Sequence, residues 1–191
     1  SSVKTAIDPE NHVNTTLGED KASLTCNDCK KFVMYTFDGM DDRCLVDGVE
    51  KKESENCIPG VNRTVYTITY YIVADKDVTL SMYVNCSAIA THWQINFNKT
   101  WTVDITAPDG TKTNYTSDTI HHNWNSLPEN LKGTVADRYS YYLYEYVCEV
   151  NLKAGKNTIV FTAVGGGDAL NFRNLGFKNA GEAKLSWGTA E

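Results

Sequence analysis

The fold is decided by residues 141–164, which read YYLYEYVCEVNLKAGKNTIVFTAV. Two runs in which apolar residues alternate with polar ones flank the short connection at 154–156. Alternation is the period of a β-strand, because successive side chains point to opposite faces of a sheet. A glycine in the connection suits a tight turn. The stretch therefore predicts a long antiparallel hairpin.

Alternation of the same kind recurs along the chain, and helical periodicity is almost absent. Runs with this pattern occupy residues 63–73, 78–86, 101–107 and 111–116. Turn residues such as PDG at 108–110 separate them. Short strands joined in this way are typical of an antiparallel sandwich. We predict an all-β fold, an antiparallel β-sandwich of the jelly-roll kind.

The length of the chain indicates how many domains it forms, and its net charge and apolar runs limit the classes of partner that it binds. A chain of 191 residues is the size of one domain, and we expect residues 17–191 to form it, after a linker or leader at 1–16. Two long loops are expected at 38–62 and 117–138, where function usually lies on β scaffolds. The net charge of -6 argues against nucleic acid as a partner. No apolar run is long enough to insert into a membrane.

The six cysteines leave two interpretations open. Their even number fits disulfides in an oxidising compartment, but a domain of this size does not require them. Cys86 and Cys148 each lie near the end of a strand run, and we expect them to be a buried pair or neighbours. Only Cys26 and Cys29 have the CxxC spacing of a zinc knuckle, so no zinc site is predicted.

The closing hairpin also resembles a known family. LKAGKNTIVF at 152–161, the glycine-rich GGGDALN at 165–171 and the final run LNFRNLGF are similar to the last strands of carbohydrate-binding modules of families 6 and 35. LGEDKASL at 17–24 is similar to the opening strand of the family. These modules are β-jelly rolls of the galactose-binding-like superfamily, so the resemblance implies the same fold. It also implies binding of a polysaccharide or glycan.

The resemblance indicates a binding site at the loop end of the sandwich. Asn171 matches the conserved asparagine of the motif, and Asp168 precedes it in the glycine-rich loop, where glycines allow close approach of a ligand. Sugar recognition also needs an aromatic face for the apolar side of a pyranose. The family's stacking aromatic corresponds to Tyr139, and Trp124 lies among polar residues where it could extend the platform or anchor the loop in the core. We expect the other tyrosines of 141–146 to pack mostly in the sandwich.

The sequence departs from the family at a position that commonly binds calcium. Related modules commonly hold a structural calcium between an acidic residue of the opening strand and an aspartate of the final strand. Arg173 occupies the position of that aspartate, and the opening carboxylate corresponds to Asp20, with Glu19 beside it. A fixed positive charge repels a cation. We therefore expect an ion pair in place of the metal, and no cofactor.

Three functions compete. The first is a non-catalytic carbohydrate-binding module, a monomeric part of a larger extracellular or cell-surface protein. The second is a structural or adhesive sandwich that binds a protein partner. The third is a small hydrolase or lyase, although the sequence contains no GxSxG, HExxH or P-loop pattern to support it.

Overall fold

The structure, a computed structural model, describes residues 15–59, 65–88, 97–99, 101–116, 120–122, 143–163, 170–178 and 180–191. In these ranges the chain is almost entirely β, and the helical element is one 3-10 turn, Glu53–Glu55. The strands are β1 (Thr15–Leu17), β2 (Ser23–Cys26), β3 (Phe32–Asp38), β4 (Leu45–Asp47), β5 (Tyr66–Ala74), β6 (Val78–Ala88), β7 (Phe97–Lys99), β8 (Thr102–Thr106), β9 (Lys112–Thr116), β10 (Ile120–His122), β11 (Leu143–Leu152), β12 (Gly155–Ala163), β13 (Leu170–Lys178) and β14 (Leu185–Trp187).

Two large antiparallel sheets contain most of these strands. Sheet I has the order β1-β2-β3-β13-β6-β11. In sheet II, β5 pairs with β12 on one side, followed by β8 and β9, and with β4 and β14 on the other. A small third sheet joins β7 to β10. The predicted antiparallel β-sandwich is confirmed, and β1 begins two residues before the predicted boundary at residue 17.

The core lies between the two large sheets. The inward residues of β5, namely Tyr66, Ile68, Tyr70 and Ile72, are buried, as the alternation predicts. The ring of Phe161 packs between two other aromatic rings, with its centroid 5.0 Å from that of Trp101 and 5.5 Å from that of Phe172. Each side chain of this size contributes about 1.5 to 3 kcal/mol when it leaves water.

The two strands predicted at 141–164 form as β11 and β12, but β11 pairs with β6 in sheet I and β12 with β5 and β8 in sheet II, so the predicted hairpin is wrong. Alternation and a turn glycine identify two strands and a turn, but not the partners of each strand. The turn between β11 and β12 is held by an asparagine. Asn157 is fully buried; its side-chain oxygen accepts from the Lys153 backbone N–H at 3.1 Å, and its amide donates to the carbonyls of Lys153 and Gly155 at 2.7 and 3.0 Å. Gly155 has a φ of +107°, which favours glycine. These contacts explain the spacing of glycine and asparagine in LKAGKN.

In sheet I, both strands that pair with β6 contain a bulge. Arg173 is the extra residue where Phe172 and Asn174 face consecutive residues of β6. Val147 is the extra residue on the other side, between Tyr146 and Cys148. A bulge bends its strand and increases the local twist. Bulges on both neighbours of β6 therefore allow this sheet to curve.

The first long loop is more ordered than predicted. It contains β4 and the 3-10 turn, and Arg43 lies over the ring of Trp187 at 4.4 Å while a double hydrogen bond joins its guanidinium to Asp41 at 2.6 and 2.7 Å. That hydrogen bonding lowers the pKa of Asp41. The second predicted loop is described only at β10.

The cysteines are thiols in the structure. Cys86 lies opposite Leu143 and Cys148 opposite Met82, so the two are four ladder positions apart on β6, and the expectation that they are neighbours is wrong. Alternation predicts the face on which each cysteine lies, but it does not predict which residues of two strands lie opposite each other. Burial raises the pKa of Cys44 to about 12, which keeps that thiol protonated at neutral pH.

Candidate functional site at the loop end of sheet I

Three strands of sheet I begin or end at the same edge of the sandwich. β6 ends at Ala88, β13 begins opposite it at Leu170, and β11 begins at Leu143, opposite Cys86. The connections that follow β6 and precede β11 and β13 therefore join the sheet at one end. This end is where the resemblance places the binding site.

Of the four residues predicted to bind the ligand, the structure describes one. Asn171 lies opposite Ser87 at the start of β13, and its side chain is 6% exposed. Tyr139, Trp124 and Asp168 lie outside the described residues. The predicted assembly of these four residues stays a prediction.

Two further asparagines share the outer face of sheet I with Asn171. Asn85 and Asn174 lie opposite each other in the ladder between β6 and β13. Ser87, the ladder partner of Asn171, lies two residues beyond Asn85 on β6. Asn85 is 6% exposed and Asn174 is half-buried. We call Asn85, Asn171 and Asn174 the amide row. Sequence reasoning missed Asn85 and Asn174, although both occupy outward positions beside predicted core residues, where a strand ordinarily carries threonine or valine.

A tyrosine closes over the amide row. Tyr144 extends from β11, and its hydroxyl lies 2.9 Å from Thr36 Oγ1. Burial raises the pKa of Tyr144, although hydrogen bonds with the side chains of Asn174 and Thr36 oppose that effect. Thr36 belongs to β3, three strand spacings of about 4.8 Å from β11 in a flat sheet. A tyrosine is too short for that distance, so the outer face of sheet I must be concave.

The first predicted loop packs beside the amide row. Ile58 and Phe172 exchange two backbone hydrogen bonds at 2.8 and 2.9 Å, which joins the loop to the start of β13. The Gly39 N–H donates to the Arg173 carbonyl at 2.7 Å, and Arg173 Nε donates to the Asn56 carbonyl at 3.0 Å. This docking fixes the loop against the strand that carries Asn171.

The contacts of Asp20 bear on the expected calcium replacement. Its Oδ1 accepts from the N–H groups of Ala22 and Ser23 and from the Ser23 hydroxyl, at 2.8 to 3.0 Å. Desolvation alone raises the pKa of Asp20, but these hydrogen bonds lower it below its ordinary value. Asp20 thus accepts hydrogen bonds from its own turn and Arg173 donates one to the first loop, and the ion pair between them stays a prediction. Among the described residues, no three His, Cys, Asp or Glu side chains form a group suited to a metal.

The amide row is suited to a ligand rich in hydroxyl groups. Each asparagine carries two N–H donors and a carbonyl acceptor, so it can match a hydroxyl as donor or as acceptor. Neutral amides do this without the desolvation cost of a buried charge.

In the ranges described, no helix is long and apolar enough to cross a membrane.

Comparison with known proteins agrees with this architecture. No family model and no curated protein matches the sequence. The fold is similar to a family 35 carbohydrate-binding module from Cellvibrio japonicus Abf62, with a TM-score of 0.53 and 14% identity over 83% of this chain and 100% of that one. It is also similar to a family 35 module from an environmental isolate, with a TM-score of 0.52 and 16% identity over 83% and 100% of the two chains. At these identities the likeness shows the fold: this chain is an antiparallel β-sandwich built like family 35 carbohydrate-binding modules.

Proposed function

We propose that this chain is a non-catalytic module that binds a polysaccharide or glycan. The observation that carries the proposal is the amide row at the loop end of a sandwich whose fold resembles family 35 carbohydrate-binding modules. Three amides gathered on one concave face match the hydroxyl groups of a sugar better than they match an apolar or a charged partner.

In this proposal Asn171 anchors the sugar through its amide, and Asp168 accepts from a hydroxyl. Tyr139 supplies the aromatic face for stacking, and Trp124 extends it. Because Asn171 is almost buried, only the edge of its amide is available, so the ligand must come close to the strand. The glycine-rich sequence that precedes Asn171 favours such an approach.

Binding without catalysis is supported by the carboxylate that the ladder places beside the amide row. Asp38 lies opposite Asn174, and its Oδ1 accepts from the Met40 N–H at 2.9 Å, so it already holds a turn. A glycosidase requires two carboxylates across its cleft, and the hydrogen bond to Met40 makes Asp38 less suited to be one of them. A role as a monomeric module of a larger extracellular or cell-surface protein follows from the family resemblance and belongs to the same proposal, and so does the absence of a metal, which follows from Arg173 at the position of the family's calcium ligand.

Affinity electrophoresis tests the function. The purified chain is run through native gels that contain galactomannan, arabinoxylan, mixed-linkage β-glucan, pectin or mucin, together with a reducing-sugar assay on the same polymers. We expect retardation in at least one gel without release of reducing ends, with an affinity between about micromolar and millimolar, as a shallow polar site gives. Migration unaffected by every polymer would contradict the proposal.

Two variants locate the binding. Asn171→Ala and Tyr139→Ala should each remove most of the retardation while the melting temperature changes little. A variant that binds normally would show that its residue lies outside the site. Thr158→Ala, on the outer face of sheet II, is the matched control and should bind like the unaltered chain.

A further inference from the structure

The sequence contains acceptor motifs for N-linked glycosylation, Asn-X-Ser/Thr without proline at X, which the proposed function does not explain. They begin at Asn14, Asn62, Asn85, Asn98 and Asn114. In the part of the chain that the structure describes, side chains are placed for two of these asparagines, Asn85 and Asn114. The two lie on different sheets and differ in exposure, so the structure distinguishes a motif that can carry a glycan from one that cannot.

Asn85 lies in the interior of sheet I. Its strand, β6, is paired on both sides, and Asn85 lies opposite Tyr144 on β11 and opposite Asn174 on β13. Its side chain is 6% exposed. An N-linked glycan is bulky and lies in solvent, so its attachment to Asn85 would prevent Tyr144 from packing across the sheet. This motif is therefore incompatible with a glycan in the folded chain.

Asn114 lies instead on an edge strand of sheet II. Among the described strands, β9 pairs with β8 alone. Asn114 is exposed, and so is Thr116, the hydroxyl residue of the motif. Residues two apart on a strand share a face, so the acceptor amide and the hydroxyl lie on the same side of the sheet. Both groups that the motif requires are open to solvent.

Tyr115, the middle residue of this motif, determines which face the other two present. It lies opposite the buried Val103 in the ladder between β8 and β9, and it packs against the core. Its hydroxyl accepts from the backbone N–H of Asn151 on β11 at 3.0 Å, which joins β9 to the other sheet. Because Tyr115 faces inward, Asn114 and Thr116 face outward.

The amide nitrogen of Asn114 lies where the modification is compatible with its present contact. Nδ2 donates to Oδ1 of Asp104 at 2.8 Å, and Asp104 is exposed on the neighbouring strand. Glycosylation forms a bond from Nδ2 to C1 of the first sugar as the bond from C1 to a lipid-linked diphosphate breaks, and the diphosphate takes up the proton that Nδ2 loses. One N–H remains on Nδ2, so a donor to Asp104 is still present.

We propose that Asn114 is an N-glycosylation site of this chain and that Asn85 is not. The donor is an oligosaccharide carried on a lipid diphosphate, and the proposal rests on the extracellular location that belongs to the proposed function. A glycan at Asn114 lies on the outer face of sheet II, whereas the amide row lies on the outer face of sheet I, so the glycan leaves the proposed binding face open. It also covers an edge strand, and exposed edge strands pair with other chains.

The test uses the full chain, secreted from a yeast host that attaches N-linked glycans. The secreted chain is digested with peptide N-glycosidase F in ¹⁸O-labelled water, which converts each glycosylated asparagine to a labelled aspartate, and the peptides are analysed by mass spectrometry. We expect the label at position 114 and none at position 85. Thr116→Ala should remove the label at position 114, and Thr116→Ser should retain it. Ser87→Ala, which removes the motif of Asn85, is the matched control and should leave the mass of attached glycan unchanged.

The outcomes distinguish this proposal from the proposed function, which the polysaccharide gels test separately. An unlabelled Asn114 in the secreted chain overturns the site, even where a polymer retards the chain. A label at Asn85 overturns the exclusion of that motif. A glycosylated chain that migrates freely through a gel that retards Thr116→Ala overturns the placement of the glycan away from the binding face. Label at Asn114 in a chain that no polymer retards, with or without its glycan, supports the modification and overturns the proposed function alone.

Discussion

The outer faces of the two sheets carry different residues, although their strands alternate in the same way. On sheet II a row of threonines crosses four strands, since Thr162 lies opposite both Thr67 and Thr102, and Thr102 lies opposite Thr116. On sheet I the corresponding outward positions carry the amide row, Gly176, and Tyr83 and Tyr146, which lie opposite each other in the ladder between β6 and β11.

The preference of residues for β-strands explains the composition of the outer face of sheet II but not that of sheet I. Threonine is β-branched and favours strands, so the threonine rows of sheet II need no ligand to account for them. Asparagine and glycine are disfavoured inside strands. Their presence in the middle of sheet I costs stability, and residues that break a local rule in this way often mark a functional site.

Among substitutions that compare the two faces, we expect the largest loss of stability for Tyr144→Ala. Tyr144→Ala would open a cavity over Gly176 and leave Thr36 Oγ1 without this partner, so we expect a loss of about 3 to 5 kcal/mol in the free energy of unfolding. Tyr71→Ala, on sheet II, should cost less than half as much. Urea denaturation measures both, and equal losses would remove the distinction between the faces.

The next effect concerns a glycine on each face. Gly176→Ala would place a Cβ 2.9 Å from Tyr144, and the ring would have to move, at a cost of about 1 to 3 kcal/mol. Gly188 is the matched control beside sheet II, because a Cβ there meets Val73 and Tyr71 at 3.3 to 3.4 Å. Thermal unfolding should show Gly188→Ala close to the unaltered chain. A tolerated Gly176→Ala would mean that Tyr144 is loosely packed over Gly176.

A smaller effect depends on pH. Burial raises the pKa of Tyr144, so the unfolded chain loses this proton first as the pH rises above about 10, and the stability falls through that range. Tyr144→Phe has no proton to lose there. We expect its melting temperature to fall less steeply between about pH 9 and 11 than that of the unaltered chain. Parallel curves would contradict the burial of this hydroxyl.

The smallest effect is expected on sheet II. Thr158→Val and Thr162→Val keep the branched shape of half-buried strand residues, so each should change the free energy of unfolding by about 0.5 kcal/mol or less. Retardation by polysaccharide should be unchanged. A binding defect in either variant would move the site to the threonine face.

The sequence predicts the scaffold better than the site because alternation reports burial. The inward residues of β5 were predictable, since Tyr66, Ile68, Tyr70 and Ile72 follow the period of two without a break. The exposure of Tyr146 was not, because the bulge at Val147 interrupts the period and has no glycine or proline to mark it. β4 and β14 are too short for alternation to identify them.

Of the candidate site, the sequence pointed to Asn171 through the resemblance and overlooked its partners. Asn85 and Asn174 are far apart in the chain, and only the pairing of β6 with β13 places them side by side. Long-range ladder register of this kind is not readable from local pattern. The same register brings Lys178 next to Tyr83.

Chemical-shift mapping tests most directly whether sheet I is the binding face. The ¹⁵N-labelled chain is titrated in turn with mannohexaose, xylohexaose and cellohexaose, and backbone amide shifts are followed on both sheets. We predict shifts at Asn171 and Asn174, with the threonine row of sheet II unchanged. Shifts confined to sheet II, or none with any of the three sugars at millimolar concentration, would contradict this assignment.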